Sequence, residues 1–355
     1  MSEDSPPPGS PQPPTIAVDA MGGDHAPAEI VAGAIAAAAG HEMSVVLTGR
    51  PSQLRPLLGS QEGGTDIRVA PADELVAMDE GALASWRRPR SSLAVACQLV
   101  RRGQAAAVVS AGSTAGIVAT ARLRLRSLPG LLRPGLAVGL PTGPKPTLLV
   151  DAGAIADPRP EMLVQFAQLG VAYAQVAYGV EDPRVGLLTI GAEPGKGNKL
   201  ARRAYELLDP DSQHGGPPIS FVGNVEGGDL LAGKVDVIVT DGFTGNVALK
   251  TLEGTADFVA RQLREALSAS RAARIGALLQ RRGLHELAER MDAETYGGAA
   301  LLGLEGTVVI AHGASTARGI AAACKLAADL AHGQITEKIT ERLGPPRGGH
   351  FLRRP

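Results

Sequence analysis

From Thr15 onward, short runs rich in Val, Ile and Leu alternate with alanine- and leucine-rich stretches of helical length. That alternation is the signature of βαβ units feeding a mostly parallel sheet. Ten runs read as strands: TIAVDAM, SVVLTG, IRVAPA, AAVVSAG, LAVGLP, TLLVDAG, RVGLLTIG, ISFVGNVE, VDVIVTDG and TVVIAHG. Several are continuously apolar, as strands covered by helices on both faces should be. The pattern predicts a three-layer α/β/α fold with a mostly parallel, doubly wound sheet.

The ends of the chain break the pattern. MSEDSPPPGSPQPP is acidic and proline-rich and lacks the basic region and apolar core of a signal peptide, so residues 1–14 read as a disordered tail. Residues 15–333 read as a single α/β domain, and 334–355 as a C-terminal tail. The longest uncharged stretch, Ala105 to Ala121, is interrupted by Ser110, Gly112, Ser113, Thr114 and Gly116 and falls short of the roughly 20 residues of a membrane-spanning helix.

One segment, about 255–292, predicts a helical arm. Leu263, Leu267, Ile275, Leu278, Leu279 and Leu287 recur at helical spacing, and between Ala260 and Leu284 Arg261, Arg264, Arg271, Arg274, Arg281 and Arg282 face a single acid, Glu265. A basic amphipathic face suits a membrane surface or an acidic protein; a dimerisation helix pair with solvated arginines is the alternative. Arg87, Arg88 and Arg90 form a second, smaller basic cluster.

The chemistry gathers where strands end. Seven predicted exits, DAMGGDH, SAGSTAG, DAGAIAD, IGAEPGKGNK, GNVEGGD, TDGFTGN and AHGAST, combine Gly with Asp, Asn, Ser, Thr, Lys or His. In open α/β sheets ligands bind beyond the carboxyl ends of the strands, so the seven loops are expected to open on one crevice. Glycine lets backbone N–H groups approach a ligand, and a loop entering a helix turns the positive end of the helix dipole toward it. An oxyanion such as phosphate is the predicted ligand.

Composition narrows the chemistry further. Gly 45 and Pro 26 with only 3% aromatics indicate many tight turns and a core of Ala, Val and Leu. Lys plus Arg 35 against Asp plus Glu 36 gives no overall charge for nucleic acid, so any electrostatic partner must meet a local patch. Cys97 and Cys324 lie in apolar segments and read as buried, inert thiols suited to a reducing cytosol. The segment around Lys196 is not a Walker loop, GSTAG is not G-x-G-x-x-G, and no G-x-S-x-G elbow is present. The seven histidines show no zinc-ligand spacing, so neither metal nor cofactor is expected.

IAVDAMGGDHAP at 16–27, GLLTIGAEPGKGN at 186–198, FVGNVEG at 221–227, VTDGFTGNVALKTLEG at 239–254 and YGGAALLGLEG with VIAHGAS at 296–315 resemble the PlsX family of phosphate acyltransferases, in order, from about residue 15 to 333. The resemblance implies acyl transfer from acyl-[acyl carrier protein] to inorganic phosphate, giving acyl phosphate for phospholipid synthesis. It implies a cytoplasmic homodimer with a fold like isocitrate and isopropylmalate dehydrogenases, carrier docking, peripheral membrane contact and a downstream glycerol-3-phosphate acyltransferase. A phosphotransacetylase-like acyl-CoA enzyme and an inactive phosphate- or lipid-responsive scaffold are the alternatives.

On that reading phosphate attacks the thioester directly, with no acyl-enzyme. Lys196 and Lys199, with amides around Gly22, Gly23 and Gly112, form the expected phosphate cradle, and Asn246, His312 or Ser315 supply oxyanion donors. His25 protonates the departing sulfur or holds Asp24. Asp19, Ser113, Thr114, Asn198, Asn224, Asp241, Thr244 and Lys250 complete the expected substrate-binding set. Helix capping is the competing role for Asp19, Asp24 and Asp241, an N-cap for Thr244, a left-handed turn for Asn224 and Asn246, and a solvated or dimer-facing position for Lys250. Two positions depart from the family pattern: Ser113 and Ile155 stand where asparagine is usual, and isoleucine offers no side-chain donor.

Overall fold

A computed structural model describes residues 13–40, 43–59, 67–74, 87–143, 145–209, 218–291 and 297–344. Residues 1–12 of the expected N-terminal tail and 345–355 lie outside that set. All ten predicted strand segments form strands: β1 (Thr15–Asp19), β2 (Ser44–Gly49), β3 (Ile67–Pro71), β4 (Ala107–Ser110), β5 (Gly135–Leu140), β6 (Thr147–Val150), β7 (Arg184–Leu188), β8 (Ser220–Val225) and β9 (Val237–Val239), with TVVIAHG giving the last strand. An unpredicted strand, β10 (Ala299–Leu302), precedes it, so TVVIAHG is β11 (Thr307–Ile310). The tetrapeptide AALL of β10 is short and has no β-branched residue, which hid it from the pattern.

The helices are α1 (Ala28–Gly40), α2 (Pro51–Leu58), α3 (Ser92–Arg101), α4 (Thr114–Leu125), α5 (Pro160–Tyr178), α6 (Lys199–Leu208), α7 (Gly242–Ser268), α8 (Arg271–Leu279), α9 (Arg281–Met291), α10 (Ala317–His332) and α11 (Ile335–Leu343). Helix α11 corrects the expected C-terminal tail: Ile335 and Ile339 are buried in the main core, and Arg342 donates from Nε to Gln168 Oε1 at 2.9 Å. Its charged positions disguised a helix whose apolar residues are only four apart.

The sheet separates two cores, which makes three layers. Successive residues of β1 point to opposite faces. Ile16 and Val18 join α1, α5, α10 and α11 through Ile30, Phe166, Ile320 and Ile335, while Ala17 joins α3 and α4 through Leu93, Cys97, Ile117 and Leu125. Each fully buried Leu, Ile or Phe contributes about 1.5–3 kcal/mol, so the two faces supply most of the stabilisation. Cys97 and Cys324 are fully buried, and burial pushes both thiols up to about 12; they stay protonated and inert.

Strand order is β3-β2-β1-β4-β11-β10-β5-β6-β9-β7-β8. The strands β3, β2, β1, β4 and β11 run parallel to one another, as do β6, β9, β7 and β8. Between these blocks the pairs β11/β10, β10/β5 and β5/β6 are all antiparallel. Three reversals turn the second block over. Its carboxyl ends therefore lie on the opposite rim of the sheet from those of β1, β4 and β11. The expectation of one crevice for all seven loops is corrected: three meet on a first rim and four leave from a second. The sequence pattern shows where strands end but not which way each one points.

Candidate active site

On the first rim the exits of β1, β4 and β11 interlock. Asp19, the last residue of β1, is 4% exposed. Its Oδ2 accepts the Ser110 hydroxyl at 2.7 Å from the end of β4, and its Oδ1 accepts Met21 N–H at 3.2 Å. Ser110 Oγ accepts Gly112 N–H at 3.2 Å. Burial raises the Asp19 carboxyl above its ordinary range, against hydrogen bonds from Ser92, Ser110 and the amides of Met21 and Gly22 that hold it down. Asp24 N–H donates to Gly313 O at 2.8 Å, tying the first loop to the loop after β11. Glu29 Oε2 accepts Ala317 N–H at 2.6 Å, so the starts of α1 and α10 are locked together.

Gly22 sits where these contacts meet. A Cβ there would lie 2.6 Å from Asp19 Oδ2, 3.0 Å from Gly112 N and 3.1 Å from Ser110 Oγ. Only hydrogen fits. Gly23 follows at φ +113°, a conformation for which glycine is strongly favoured. Ser113 caps α4 by accepting Gly116 N–H at 3.3 Å, which leaves Thr114 exposed on the first turn of that helix. At the third loop His312 is exposed and its Nδ1 accepts Ala314 N–H at 3.3 Å, which puts the neutral ring's proton on Nε2. Ser315 is buried beneath it, with its N–H on His312 O at 2.9 Å. His25 and Asp24 are exposed at the mouth.

The second rim is built around another buried aspartate. Asp151, directly after β6, is fully buried. Its Oδ1 accepts the N–H groups of Leu136, Gly153 and Ala154 at 3.0, 3.0 and 2.9 Å, and its Oδ2 accepts Ile155 N–H at 2.7 Å. Burial raises this carboxyl, again opposed by its backbone donors. The DAGAI turn so formed receives the N-terminus of α7: Gly242 N–H donates to Ile155 O at 2.9 Å. Ile155 thus serves through its backbone, and the loss of an amide side chain leaves the turn intact.

Several expected binding residues on this rim have structural partners. Asp241 caps α7, accepting Thr244 N–H and the Thr244 hydroxyl, each at 2.8 Å. Asn198 caps α6 through Ala201 N–H at 2.8 Å, with Lys199 exposed on the first turn. Asn224 Nδ2 donates to Glu193 O at 2.8 Å and holds the loop after β7. Lys196 is exposed, 4.0 Å from Glu193 Oε2. Lys250 pairs with Glu253 at 2.6 Å. Asn246 is exposed beside the DAGAI turn, its Oδ1 3.3 Å from where a Gly153 Cβ would stand.

Ser110 and Asp151 were both present in the quoted exits yet were not singled out; a polar residue closing an apolar run was the available signal. No cluster of His, Cys, Asp and Glu able to hold a metal exists among the described residues. Nor is any described helix long and apolar enough to cross a membrane.

The architecture is a three-layer α/β fold, also seen in phosphotransacetylases and in a group of dehydrogenases. A phosphotransacetylase from Streptococcus pyogenes matches with a TM-score of 0.58 over 90% of this chain and 94% of its own, at 18% identity. A 4-hydroxythreonine-4-phosphate dehydrogenase from Klebsiella pneumoniae matches at 0.51 over 90% and 99%, at 14% identity. Those likenesses speak for the fold alone. In sequence, the family described as fatty acid synthesis protein matches residues 14–338. Proteins named phosphate acyltransferase match at 62% identity in Thermobifida fusca, over 92% of this chain and 90% of the relative, and at 41% in Trichodesmium erythraeum, over 93% and 96%. The chain belongs to the PlsX family of phosphate acyltransferases and is an acyltransferase.

Proposed function

We propose that the protein transfers an acyl group from the thioester of acyl carrier protein to inorganic phosphate. The observation that carries this reading is the interlock on the first rim. The Asp19–Ser110 bond joins the loops after β1 and β4, the bond from Asp24 N–H to Gly313 O adds the loop after β11, and Thr114 begins a helix two residues past Gly112. The Gly22 and Gly112 N–H groups are themselves taken up by Asp19 and Ser110, so the donors offered to an oxyanion are the backbone N–H groups that open α4. Phosphate held there needs orientation more than activation, because it is already nucleophilic near neutral pH.

In the proposed step a phosphate oxygen forms the new C–O bond to the thioester carbonyl. The tetrahedral oxyanion takes a hydrogen bond from His312 Nε2–H, and its collapse breaks the C–S bond. The carrier leaves as thiolate, protonated by His25 or by solvent. A well-placed oxyanion donor contributes about 2.7–4 kcal/mol to such a step. No covalent acyl-enzyme is involved. Both cysteines are buried, and Ser110 is tied between Asp19 and Gly112.

Lys196, Lys199 and Asn246 stand on the second rim of the same chain. For them to serve this phosphate, a second copy must supply them, and that gives the homodimer a chemical reason. The arm of α7, α8 and α9 favours a further contact with carrier or membrane, since Ile275, Leu278 and Leu279 are 61%, 65% and 82% exposed beside its arginines. Flotation with anionic vesicles tests the membrane contact: binding by wild type and its loss on changing Leu278 and Leu279 to Glu are expected, and unchanged binding removes it.

The deciding assay is phosphate-dependent release of free carrier thiol from a long-chain acyl carrier protein. Release that requires phosphate and yields acyl phosphate is expected. Equal release without phosphate, or none, overturns the reading, and a preference for acyl-CoA replaces the donor.

A further inference from the structure

A groove of about 680 Å³ opens beside the first rim. That volume is within the roughly 300–1,000 Å³ typical of small-molecule sites. Met21 and Gly23, from the loop proposed to receive the anion, line it together with Ala26 and Pro27 and, on α2, Pro56 and Leu57. Helix α2 buries Leu54 and Leu58 on its core side, whereas Leu57, which the core does not use, is 42% exposed toward solvent.

We propose that this groove holds the aliphatic chain of the acyl donor, an assignment that rests on the proposed transfer to phosphate. Continuity is the first reason: Gly23 belongs both to the first-rim loop and to the groove lining, so an acyl chain whose carbonyl reacts beside it would enter the groove there. Chemistry is the second. The floor is thioether, methyl, pyrrolidine and isobutyl, and the polar residues are Arg50, Ser52 and Gln53 from the start of α2. Arg50 donates from Nε to Asp73 O at 3.3 Å, which anchors the guanidinium. No carboxylate is among the described residues that line the groove, so none of them would recognise a cationic group. Burying methylenes along such a floor favours longer chains, in proportion to the area removed from water.

The test compares wild type with Leu57→Arg, an exposed site outside the anion-binding loops. Thiol release is measured with butyryl and palmitoyl acyl carrier protein, alongside direct binding of a fluorescent long-chain fatty acid. Leu57→Arg should lower kcat/KM about tenfold for palmitoyl donor and leave the butyryl donor within twofold, and it should weaken the fluorescent probe about tenfold. Equal losses for both donors, with competition by free pantetheine, would assign the groove to the carrier's arm and overturn the proposal. No change in either donor or in probe binding overturns it too. Failure of the proposed transfer looks different: wild type then releases no thiol from either donor, and probe binding alone decides the groove.

Discussion

Each rim of the sheet has a buried aspartate at a strand exit, followed by a glycine-bearing turn, yet the two act differently. Asp151 directs both carboxylate oxygens at four backbone N–H groups of its own neighbourhood. Asp19 takes the hydroxyls of Ser92 and Ser110 and the backbone N–H groups of Met21 and Gly22, and the Ser110 hydroxyl reaches it from the end of the neighbouring strand. The first arrangement closes a turn under a 27-residue helix. The second links separate loops and packs their glycines closely against one another's strand ends. A buried carboxylate saturated by its own turn is a fold element, while one shared between loops positions a site.

The largest effect should come from breaking the saturated one. Asp151→Ala removes the acceptor of four N–H donors, that of Leu136 buried and those of Gly153, Ala154 and Ile155 partly buried, and each group left unpaired away from water costs about 1–3 kcal/mol. Unfolding in urea should therefore show a loss on the order of 4 kcal/mol, a large part of the roughly 5–15 kcal/mol a domain has. A loss below about 1 kcal/mol would mean that water replaces the carboxylate and the turn is not its work. The neighbouring Gly245 points the same way, since a Cβ there would stand against Asp151 O.

Gly22→Ala should reverse the pattern. Its methyl meets Asp19 Oδ2 at 2.6 Å and Gly112 N at 3.0 Å, so the loops must move apart by a fraction of an ångström. Misplacement of about 1 Å costs on the order of 100-fold in rate. The phosphate-dependent kcat/KM should fall by about that factor, while urea unfolding shows only the smaller overpacking cost of about 1–3 kcal/mol. Near-normal kinetics would move the anion site elsewhere.

A third measurement asks whether the rims work together. Lys196→Ala alone should be nearly inactive if the second rim of one copy serves the first rim of another. Mixing Lys196→Ala with Gly22→Ala chains, by co-refolding, should restore roughly a quarter of wild-type activity, because half the random dimers hold one intact composite site. Absence of recovery from a mixture shown to contain mixed dimers would confine each site to one chain.

Much of this was legible in the residues. Apolar runs gave ten strands because strands covered on both faces have no polar alternation to blur them. The glycine-rich exits mark strand ends, and the capping alternative for Asp241 describes the observed contacts, whereas Thr244 is not an N-cap but donates to that cap from inside the first turn. Strand direction was not legible. It depends on the antiparallel trio β10, β5 and β6 at the centre of the sheet, and one of those, AALL, carries no strand signal of its own. Without β10 the reversal of the second block cannot be counted, and residues such as Gly23 and Lys196 fall into one crevice on paper.

The smallest effect concerns the charge of Asp19. Burial raises its carboxyl above the ordinary value of 3.8 in the folded protein, so folding favours the protonated form. Its favourable contribution is complete below the ordinary value and is lost as pH rises through the raised one. Asp19→Asn keeps the shape and removes the titration. Wild type should therefore lose stability relative to Asp19→Asn as pH rises from about 4, by no more than about 1.4 kcal/mol per pH unit, and the difference should level off once the carboxyl is ionised. Urea unfolding of both proteins between about pH 4 and pH 7 measures it. A flat difference would mean that the hydroxyls of Ser92 and Ser110 offset burial completely. A difference of opposite sign would make Asp19 a carboxylate held in its charged form, and the first rim would then carry a fixed negative charge beneath the very loops proposed to receive phosphate.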